Sequence, residues 1–308
     1  MDTTLLDEVI ACLPRERTLF DYFQGHYALG ILAELAEREV RRVGDLRSGP
    51  FDSLLQKPMV KQALALCGAG ALRAEVLRNY GLEHASRFLL GVDRWGHQVH
   101  ERWNQTSRPG MNLVLQLNFN SSHMRALRRL TGGEQRTFNP LDHPVCRPGH
   151  PRYRETLAWA RIDFDFETNE ALIEEIQSDW VWFAVNGARS GVWTGAGHVP
   201  AERVKRCLEA DFAGVTRWWD EAMLWAAIWF VRHELGLKRI WFHDYNTGAA
   251  LKRIRYRLPP KSVYTRLPTR FCMQRTRRGP RFLDACKRAQ RVLKRTPDTG
   301  FYCLKLEA

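Results

Sequence analysis

The sequence has no CxxC pair, no recognisable secretory leader and no apolar run long enough to cross a membrane. Its 7 cysteines are scattered, and an odd number of cysteines does not fit a disulfide framework. The first residues, MDTTLLDEVIACLPRER, begin acidic, whereas a leader begins basic and then becomes apolar. A membrane helix needs about 18 or more consecutive apolar residues. These absences predict a soluble, cytoplasmic protein with reduced thiols and no membrane contact.

Several catalytic signatures are also missing. The chain contains no Gly-x-Ser-x-Gly elbow, no phosphate-binding P-loop and no HExxH motif. His143, Cys146 and His150 have a spacing that a metal could use, but a structural zinc site needs four ligands and no second pair is evident. His97 and His100 would share a face only in a helix, and their surroundings favour a loop. The sequence therefore does not predict a metal site from its histidines.

Positive charge is abundant but concentrated. The net charge is +13, and residues 252–295 contain 16 Lys and Arg against one acidic residue, Asp284. This segment alone carries +15, so the other 264 residues sum to −2. Such asymmetry favours an acidic ligand, such as nucleic acid, a phosphate-rich cofactor or an anionic surface, although a solvated basic face would have the same composition.

The distribution of apolar residues predicts an α+β fold with an N-terminal helical region, a central mixed β-sheet and a basic C-terminal helix. Apolar composition is 44% with 11 tryptophans, which is ample for a core. We divide the chain into a helical region over 1–84, an α+β domain over 85–280 and a basic amphipathic helix and tail over 281–308. In the first region Pro58 marks the first turn of a helix. A helix-turn-helix DNA-binding unit is an alternative for this region.

The middle of the chain reads as strands separated by loops and one long helix. The segments RFLLGVDRWG and MNLVLQLNF predict strands, a basic helix follows at SSHMRALRRL, and residues 131–154 predict a long loop. The stretch VNGARSGVWTGAGHVP predicts a second irregular loop. A helix is expected from about Glu202 to Leu235. In it Trp218, Ala222, Trp225 and Trp229 form a stripe facing the core.

The last third predicts a buried strand at KRIWFHD and a short helix at GAALKRIRY. An extended segment, SVYTRLPTRFCMQ, and a basic helix near 281–294 complete the pattern.

The most informative segment is the run from Thr156 to Trp180, which predicts a β-hairpin ending in a polar cluster. Apolar and acidic residues alternate along its first arm, the period of two expected of a strand. Alternation along the second arm places Ile173, Glu175 and Gln177 on one face and Leu172, Glu174 and Ile176 on the other. A carboxylate among packed residues needs a partner.

The C-terminal half resembles a GNAT-type N-acetyltransferase. The segments that carry the resemblance are KRIWFHDYNTGAALKRIRY and SVYTRLPTRFCMQ, and it covers at most about 110 residues. It implies that acetyl-coenzyme A lies between two parallel strands, Leu172–Gln177 and Arg239–His243, with its pyrophosphate on backbone amides at a helix N-terminus. It further implies that Asn246 and Tyr264 contact the coenzyme or its thiolate.

The chain departs from this family where the coenzyme phosphates should bind. The Gln/Arg-x-x-Gly-x-Gly/Ala loop is absent, and QSDWVW stands in its place. The glycine-rich stretch that includes Gly191 and Gly195 is the substitute we consider. This departure puts the phosphate-binding part of the resemblance in doubt.

A second resemblance is to restriction-endonuclease-like nucleases. In that family an Asp on one hairpin strand and a Glu-x-Lys or Glu-x-Gln on the next bind a divalent metal, and here Asp163 precedes Glu175 and Gln177. Two carboxylates hold the cation and the third residue positions the attacking water. This pattern implies a metal-dependent nuclease as the alternative enzyme.

The string EIQSDW also looks like one found in uncharacterised segments of large phage and mobile-element proteins, where a Tyr-x-x-Leu-Pro element follows it. In this chain that element begins at Tyr264. The resemblance implies a shared domain without a known reaction, in which Glu175, Gln177, Asp179 and Trp180 act together. Asp179 as a helix cap beside a packed Trp180 is the simpler alternative.

The leading hypothesis from the sequence is an acyltransferase-like enzyme that uses acetyl-coenzyme A. Glu175 or His243 would be the base, Tyr264 the acid, and basic side chains would bind the phosphates. A protein that only binds nucleic acid or another anionic partner, through Arg275, Arg277 and Arg278, is the non-enzymatic alternative. The candidate catalytic residues are Glu175, Gln177, Asp179, His243 and Tyr264, and the candidate cofactor-binding residues are Gly191, Gly195, Asn246, Arg275, Arg277 and Arg278.

Overall fold

The structure is a computed structural model that describes residues 1–13, 18–38, 42–96, 105–133, 138–140, 143–147, 153–194, 197–254 and 260–306. Its fold is α+β, as the sequence predicts. The strands in these ranges are β1 Thr18–Tyr22, β2 Ser86–Trp95, β3 Asn112–Phe119, β4 Thr156–Asp165, β5 Glu170–Gln177, β6 Val192–Thr194, β7 Gly197–Val199, β8 Arg239–His243, β9 Gln274–Thr276 and β10 Phe301–Leu304.

Helices cover the sheet and build the N-terminal region. They are α1 Thr3–Cys12, α2 His26–Arg38, α3 Asp52–Leu55, α4 Pro58–Cys67, α5 Ala74–Asn79, α6 Ser121–Thr131, α7 Asp179–Ser190, α8 Ala201–Asp211, α9 Val215–His233, α10 Tyr245–Leu251, α11 Arg266–Arg270 and α12 Lys287–Arg295. Short 3₁₀ helices occur at Val43–Leu46, Leu82–His84, Lys261–Tyr264 and Arg281–Leu283. No helix in the described ranges combines the length and apolar composition that crossing a membrane requires.

One large mixed sheet organises the fold, with strand order β1-β2-β3-β4-β5-β8-β10-β9. Neighbouring strands from β1 to β5 are antiparallel, β5 and β8 are parallel, and β10 is antiparallel to both β8 and β9. The strands β6 and β7 form a separate hairpin. β3 is buried along its whole length, because helices and loops cover both faces of the sheet centre.

The two faces of the sheet bury separate clusters. Ala171 and Ile173 of β5 belong to the large core that includes α2 and α9. Leu172 of the same strand and Trp241 of β8 point to the opposite face, where the ends of α10 and α12 cover them. This alternation is the period of two expected of a strand.

The N-terminal region contributes a strand to the sheet. Tyr22 lies in β1, which pairs with β2, although the sequence pattern predicts a helical region over 1–84. Residues of α2 are almost all buried and share the large core with α9. The prediction that this region is helical throughout is therefore wrong at β1, because a five-residue strand carries too few alternations to be distinguished from a helix turn. The helix beginning at Pro58 is confirmed.

Three other sequence predictions need correction. The stretch predicted as an irregular loop after the hairpin begins inside α7, which continues through Gly187 to Ser190, and then forms the β6–β7 hairpin. The predicted long helix is two helices, α8 and α9, separated at Phe212–Gly214. The predicted extended segment over 262–274 contains a 3₁₀ helix and α11, and only its end joins β9. Tertiary packing outweighs local propensity in each case.

The tryptophan stripe of α9 is confirmed as part of the core. Trp218 and Trp225 are buried, and Ala222 between them is fully buried. Trp229 is partly buried and packs against the same core. Trp218 also marks a kink, since its backbone angles are not helical. The stripe is therefore structural.

Candidate functional site

The edge formed by the carboxyl ends of β5 and β8 brings together the predicted residues Glu175, Gln177, Asp179 and His243. These two strands are the only parallel neighbours among the described strands, and they pair from Glu170–Arg239 to Ile173–Phe242. β5 continues to Gln177, and α7 and α10 begin directly beyond the two strands. Ligands of α/β sheets bind at such carboxyl edges, where neighbouring strands lead into helices.

A β-bulge in β5 determines which side chains face this site. The antiparallel register pairs Ile162 with Ile173 but Arg161 with Glu175, so Glu174 is an extra residue in β5. Glu175 and Gln177 consequently lie on the face of Leu172, while Ile173 and Ile176 lie in the large core. The strict alternation predicted for this strand is therefore wrong beyond Ile173, since a bulge reverses the facing of every later side chain.

A buried charged cluster follows from that reversal. Glu175 forms an ion pair with Arg161 across the β4–β5 pair and a second with Lys252, whose Nζ lies 3.5 Å from its Oε2. All three side chains are nearly inaccessible, at 8%, 1% and 1% exposure. Burial alone would raise the pKa of Glu175, but the two cations outweigh burial and lower it to about 2. Glu175 is thus a permanent anion that accepts a proton poorly.

Its neighbour Glu174 has the opposite electrostatic environment. Both carboxylate oxygens accept from the backbone N–H of Ser107, at 2.9 and 3.0 Å. Burial, together with the nearby charge of Asp163, raises the pKa of Glu174 to about 6. This environment favours protonation of Glu174 at a higher pH than an ordinary carboxyl group.

His243 lies at the end of β8 and is fully buried. Its Nε2 is 2.8 Å from the hydroxyl of Ser107, a residue that is also fully buried. Burial, with further contributions from Lys252 and Arg161, lowers the pKa of His243 well below its usual value. The imidazole is therefore neutral near pH 7, and it is a weaker base than the sequence argument assumed.

Tyr264 packs near the end of β8, within the large core. Its ring stacks on Phe242 of β8 at a centroid distance of 5.1 Å, and Lys252 Nζ lies 5.6 Å from the ring centroid. Burial and the charge of Glu175 raise the pKa of Tyr264 well above its usual value, so its hydroxyl remains protonated. Nδ1 of His243, by contrast, has no hydrogen-bond partner among the described residues. Buried polar groups rarely lack partners, and a bound ligand is one explanation.

A second polar cluster surrounds Asp179 at the start of α7. One carboxylate oxygen is 2.7 Å from Nδ1 of His143 and accepts from the indole N–H of Trp159 at 3.1 Å. The other accepts from the side-chain amide of Gln177 at 2.6 Å. Along the β4–β5 pair, Gln177 lies opposite Trp159, two positions beyond the pair of Arg161 and Glu175. The Asp179 cluster and the charged cluster around Glu175 are therefore about 7 Å apart along one face of the sheet.

The Asp179 cluster is more accessible than the charged cluster. His143 is 34% exposed, whereas the side chain of Asp179 is 10% exposed. Asp179 is not the helix cap: Ser178 caps α7 by accepting from the N–H of Val181. A carboxylate that holds one imidazole nitrogen orients the ring, which is the arrangement of a general base.

The three residues of the nuclease hypothesis have other partners. Both carboxylate oxygens of Asp163 bond to Arg108, at 2.7 and 3.0 Å, and one also accepts from the amino group of Met1. Glu175 is held by its own cations, and Gln177 bonds to Asp179. Within the described ranges, no group of three His, Cys, Asp or Glu side chains is arranged to hold a metal ion. His97, His100 and His150 lie outside those ranges.

The predicted cofactor-binding residues lie in different places. Asn246 is exposed in the first turn of α10, whose cap Asp244 accepts from Arg275 at 2.9 Å. Gly191 ends α7, about 18 Å along the helix from Asp179. A side chain there would overlap His198, so the glycine serves the close approach of β7. Gly195 lies outside the described residues.

Arg277 and Arg278 follow β9 at the far edge of the sheet, separated from β8 by β10. Both are exposed, and neither forms an ion pair with a residue that the structure describes. The basic segment is not uniform, since Lys252 is buried in the charged cluster. The exposed arginines therefore form a surface that is separate from the carboxyl edge.

Sequence reasoning missed Arg161, Ser107 and the pairing of His143 with Asp179. These residues join the site from 14 to 136 positions away along the chain. A buried arginine facing an acidic strand was the one available signal, because Arg161 stands in the middle of an apolar strand and requires a counter-ion.

In comparisons with protein-family models, with curated protein sequences and with solved structures, none matches this chain.

Proposed function

We propose that this protein transfers an acyl group from acyl-coenzyme A to an amine, at the carboxyl edge of β5 and β8. The observation that carries the proposal is the parallel pair of strands within an otherwise antiparallel sheet, with helices starting beyond both strands. It supports the predicted placement of the two coenzyme-binding strands. The unpartnered Nδ1 of His243 at this edge supports a ligand there.

The side chains at this edge suggest a division of roles. The amine nitrogen attacks the thioester carbon, a C–N bond forms and the C–S bond breaks. His143, oriented by Asp179, accepts the amine proton, in place of the less suitable Glu175 and His243. The protonated hydroxyl of Tyr264 donates a proton to the departing thiolate. The charged cluster around Glu175 fixes the geometry of β4 and β5.

Binding is tested by thermal unfolding with 1 mM acetyl-coenzyme A and, separately, with ADP at equal phosphate charge. A ligand that binds only the folded state at about 100 times its Kd stabilises the protein by about 2.7 kcal/mol. We expect a rise in Tm of several degrees with the coenzyme and a smaller rise with ADP. Equal rises would indicate general phosphate affinity, and no rise with either compound would refute the proposal.

Catalysis is tested by following release of free coenzyme A thiol in the presence of small primary amines. Tyr264→Phe keeps the ring on Phe242 but removes the hydroxyl, so we expect kcat to fall about 100-fold with coenzyme binding retained. Tyr80→Phe is the matched control, because its hydroxyl bonds only to Gln62 near the surface. Equal rates in the two variants would exclude Tyr264 as the acid.

A second candidate function is binding of nucleic acid by the C-terminal basic surface. The observation that favours it is that Arg277, Arg278, Lys287 and Lys294 are exposed and form no ion pair with any described residue. Affinity for single- or double-stranded DNA, measured by fluorescence anisotropy, should then fall steeply with salt. Reversal of Arg277 and Arg278 to Glu should abolish it, while Tyr264→Phe should leave it unchanged.

A further inference from the structure

A cleft lies at the opposite end of the sheet from the candidate site. Its volume is about 340 Å³, within the range of small-molecule pockets. The lining comes from the turn between β4 and β5, the start of β8, the start of the 3₁₀ helix at Arg281 and the end of β10. The lining residues are Thr168, Asn169, Lys238, Arg239, Arg281, Leu304, Lys305 and Leu306.

The lining carries four cationic side chains and no carboxylate. The nearest buried acid is Glu170, which is fully buried beneath the cleft and bonds to Arg239 at 3.1 Å. Lys238 and Lys305 are exposed, and neither ammonium group has an ion-pair partner in the part of the chain that the structure describes. Four cations against one carboxylate leave an excess of three positive charges around one concave surface.

The cleft is held in shape by backbone contacts. Asn169 has a positive φ of 57°, and its side-chain oxygen accepts from the N–H of Lys238 at 2.8 Å. Arg281 donates its backbone N–H to Glu170 at 2.6 Å and its guanidinium to the carbonyl of Thr168 at 2.8 Å. The β4–β5 turn, β8 and the 3₁₀ helix are thereby tied together. The arginines are fixed, so they lose little side-chain entropy when a ligand binds.

We propose that this cleft binds a small ligand through a phosphate or pyrophosphate group. Concave, water-accessible cations with fixed arginines suit the several oxygens of such a group, which guanidinium binds through two parallel hydrogen bonds. The ligand is distinct from the acyl donor, because the cleft lies at the amino end of β5 and the candidate site about 20 Å away at its carboxyl end. The inference does not depend on the proposed acyltransferase activity.

The test measures binding of inorganic pyrophosphate and of ADP to the whole chain by isothermal titration calorimetry. The variant is Lys238→Ala with Lys305→Ala, because both lysines are exposed and neutralise no buried acid, so we expect the variant to fold. The arginines are left in place because removing them would strand Glu170. The matched control is Lys287→Ala with Lys294→Ala, which removes two exposed and unpaired lysines of α12.

We expect the Lys238/Lys305 variant to bind pyrophosphate at least about tenfold more weakly, with the control pair unchanged. Tighter binding of ADP than of pyrophosphate would indicate a nucleotide, and equal binding would indicate that only the phosphate groups are recognised. Either result supports the proposal only if the Lys238/Lys305 variant also loses affinity. An equal loss in both variants would show general attraction to basic surface and would overturn the proposal. Absence of binding by the unaltered chain would also overturn it. An unchanged Tm shift with acetyl-coenzyme A in the cleft variant would show that the two sites are separate.

Discussion

Replacing Glu175 by Gln should destabilise the protein strongly, because the substitution leaves Arg161 and Lys252 buried without their anion. Breaking a buried ion pair by removing one partner costs about 3 to 5 kcal/mol. The pKa of Glu175 gives an independent figure. Its fall from 4.5 to about 2 corresponds to about 3 kcal/mol of unfolding free energy.

The same reasoning fixes the pH dependence of this contribution. A carboxyl group with a lowered folded-state pKa stabilises the protein above its unfolded pKa of 4.5, and the stabilisation is lost as the pH falls toward 2. From the linkage relation, the contribution is about 3 kcal/mol at pH 5 and about 1.5 kcal/mol at pH 3. The difference between the unaltered protein and Glu175→Gln should therefore shrink by about half over this range.

The assay is urea unfolding of both proteins at pH 5 and pH 3, followed by tryptophan fluorescence. Glu209→Gln is the control, since Glu209 is exposed on α8 and should change the unfolding free energy by less than about 0.5 kcal/mol. A cost below about 1 kcal/mol for Glu175→Gln, or a cost that does not change with pH, would refute the assignment of Glu175 as a paired structural anion.

Three further substitutions have defined outcomes. The unfolding free energy of Glu174→Gln, taken relative to that of the unaltered protein, should rise by about 2 kcal/mol from pH 4 to pH 8, because the raised pKa of Glu174 costs stability only where the group is ionised. Urea unfolding measures this difference, and an equal difference at both pH values would contradict the prediction. Gly30→Ala should lower the unfolding free energy by about 1 to 3 kcal/mol and lower the Tm, because the added methyl group would overlap the indole of Trp225. An unchanged Tm would show that α2 and α9 are not packed as described. His143→Ala should lower kcat for thiol release about 100-fold with little change in KM. The control His84→Ala, at an exposed position, should leave kcat unchanged. Equal kcat in the two variants would remove His143 from the mechanism.

Local patterns predicted the elements whose neighbours are close in sequence. The hairpin β4–β5 and the strands β2, β3 and β8 follow from alternation or short apolar runs, and these signals lie within each strand. The prediction failed for α7, where glycine-rich composition suggested a loop. Gly187 packs against Val192 and Val204, so a tertiary contact explains a glycine that local propensity treats as a helix breaker.

The sequence predicted a polar cluster at the end of the hairpin, but not the partners of its side chains. The polar end of the hairpin pointed to Glu175, Gln177 and Asp179, and all three lie at the carboxyl edge of β5. Their roles depend on partners that local pattern does not indicate. Arg161 and Lys252 turn Glu175 into a fixed anion, and the bulge at Glu174 decides which face it occupies. One extra residue in a strand cannot be recognised from alternation that is already imperfect.

A crystal structure of the protein with acetyl-coenzyme A bound would test the proposed acyl transfer site most directly. We expect the thioester to lie at the carboxyl edge of β5 and β8, within hydrogen-bond reach of the Tyr264 hydroxyl and beside His143. Coenzyme found only at the basic surface, in the cleft of Lys238 and Lys305, or nowhere on the protein would contradict it.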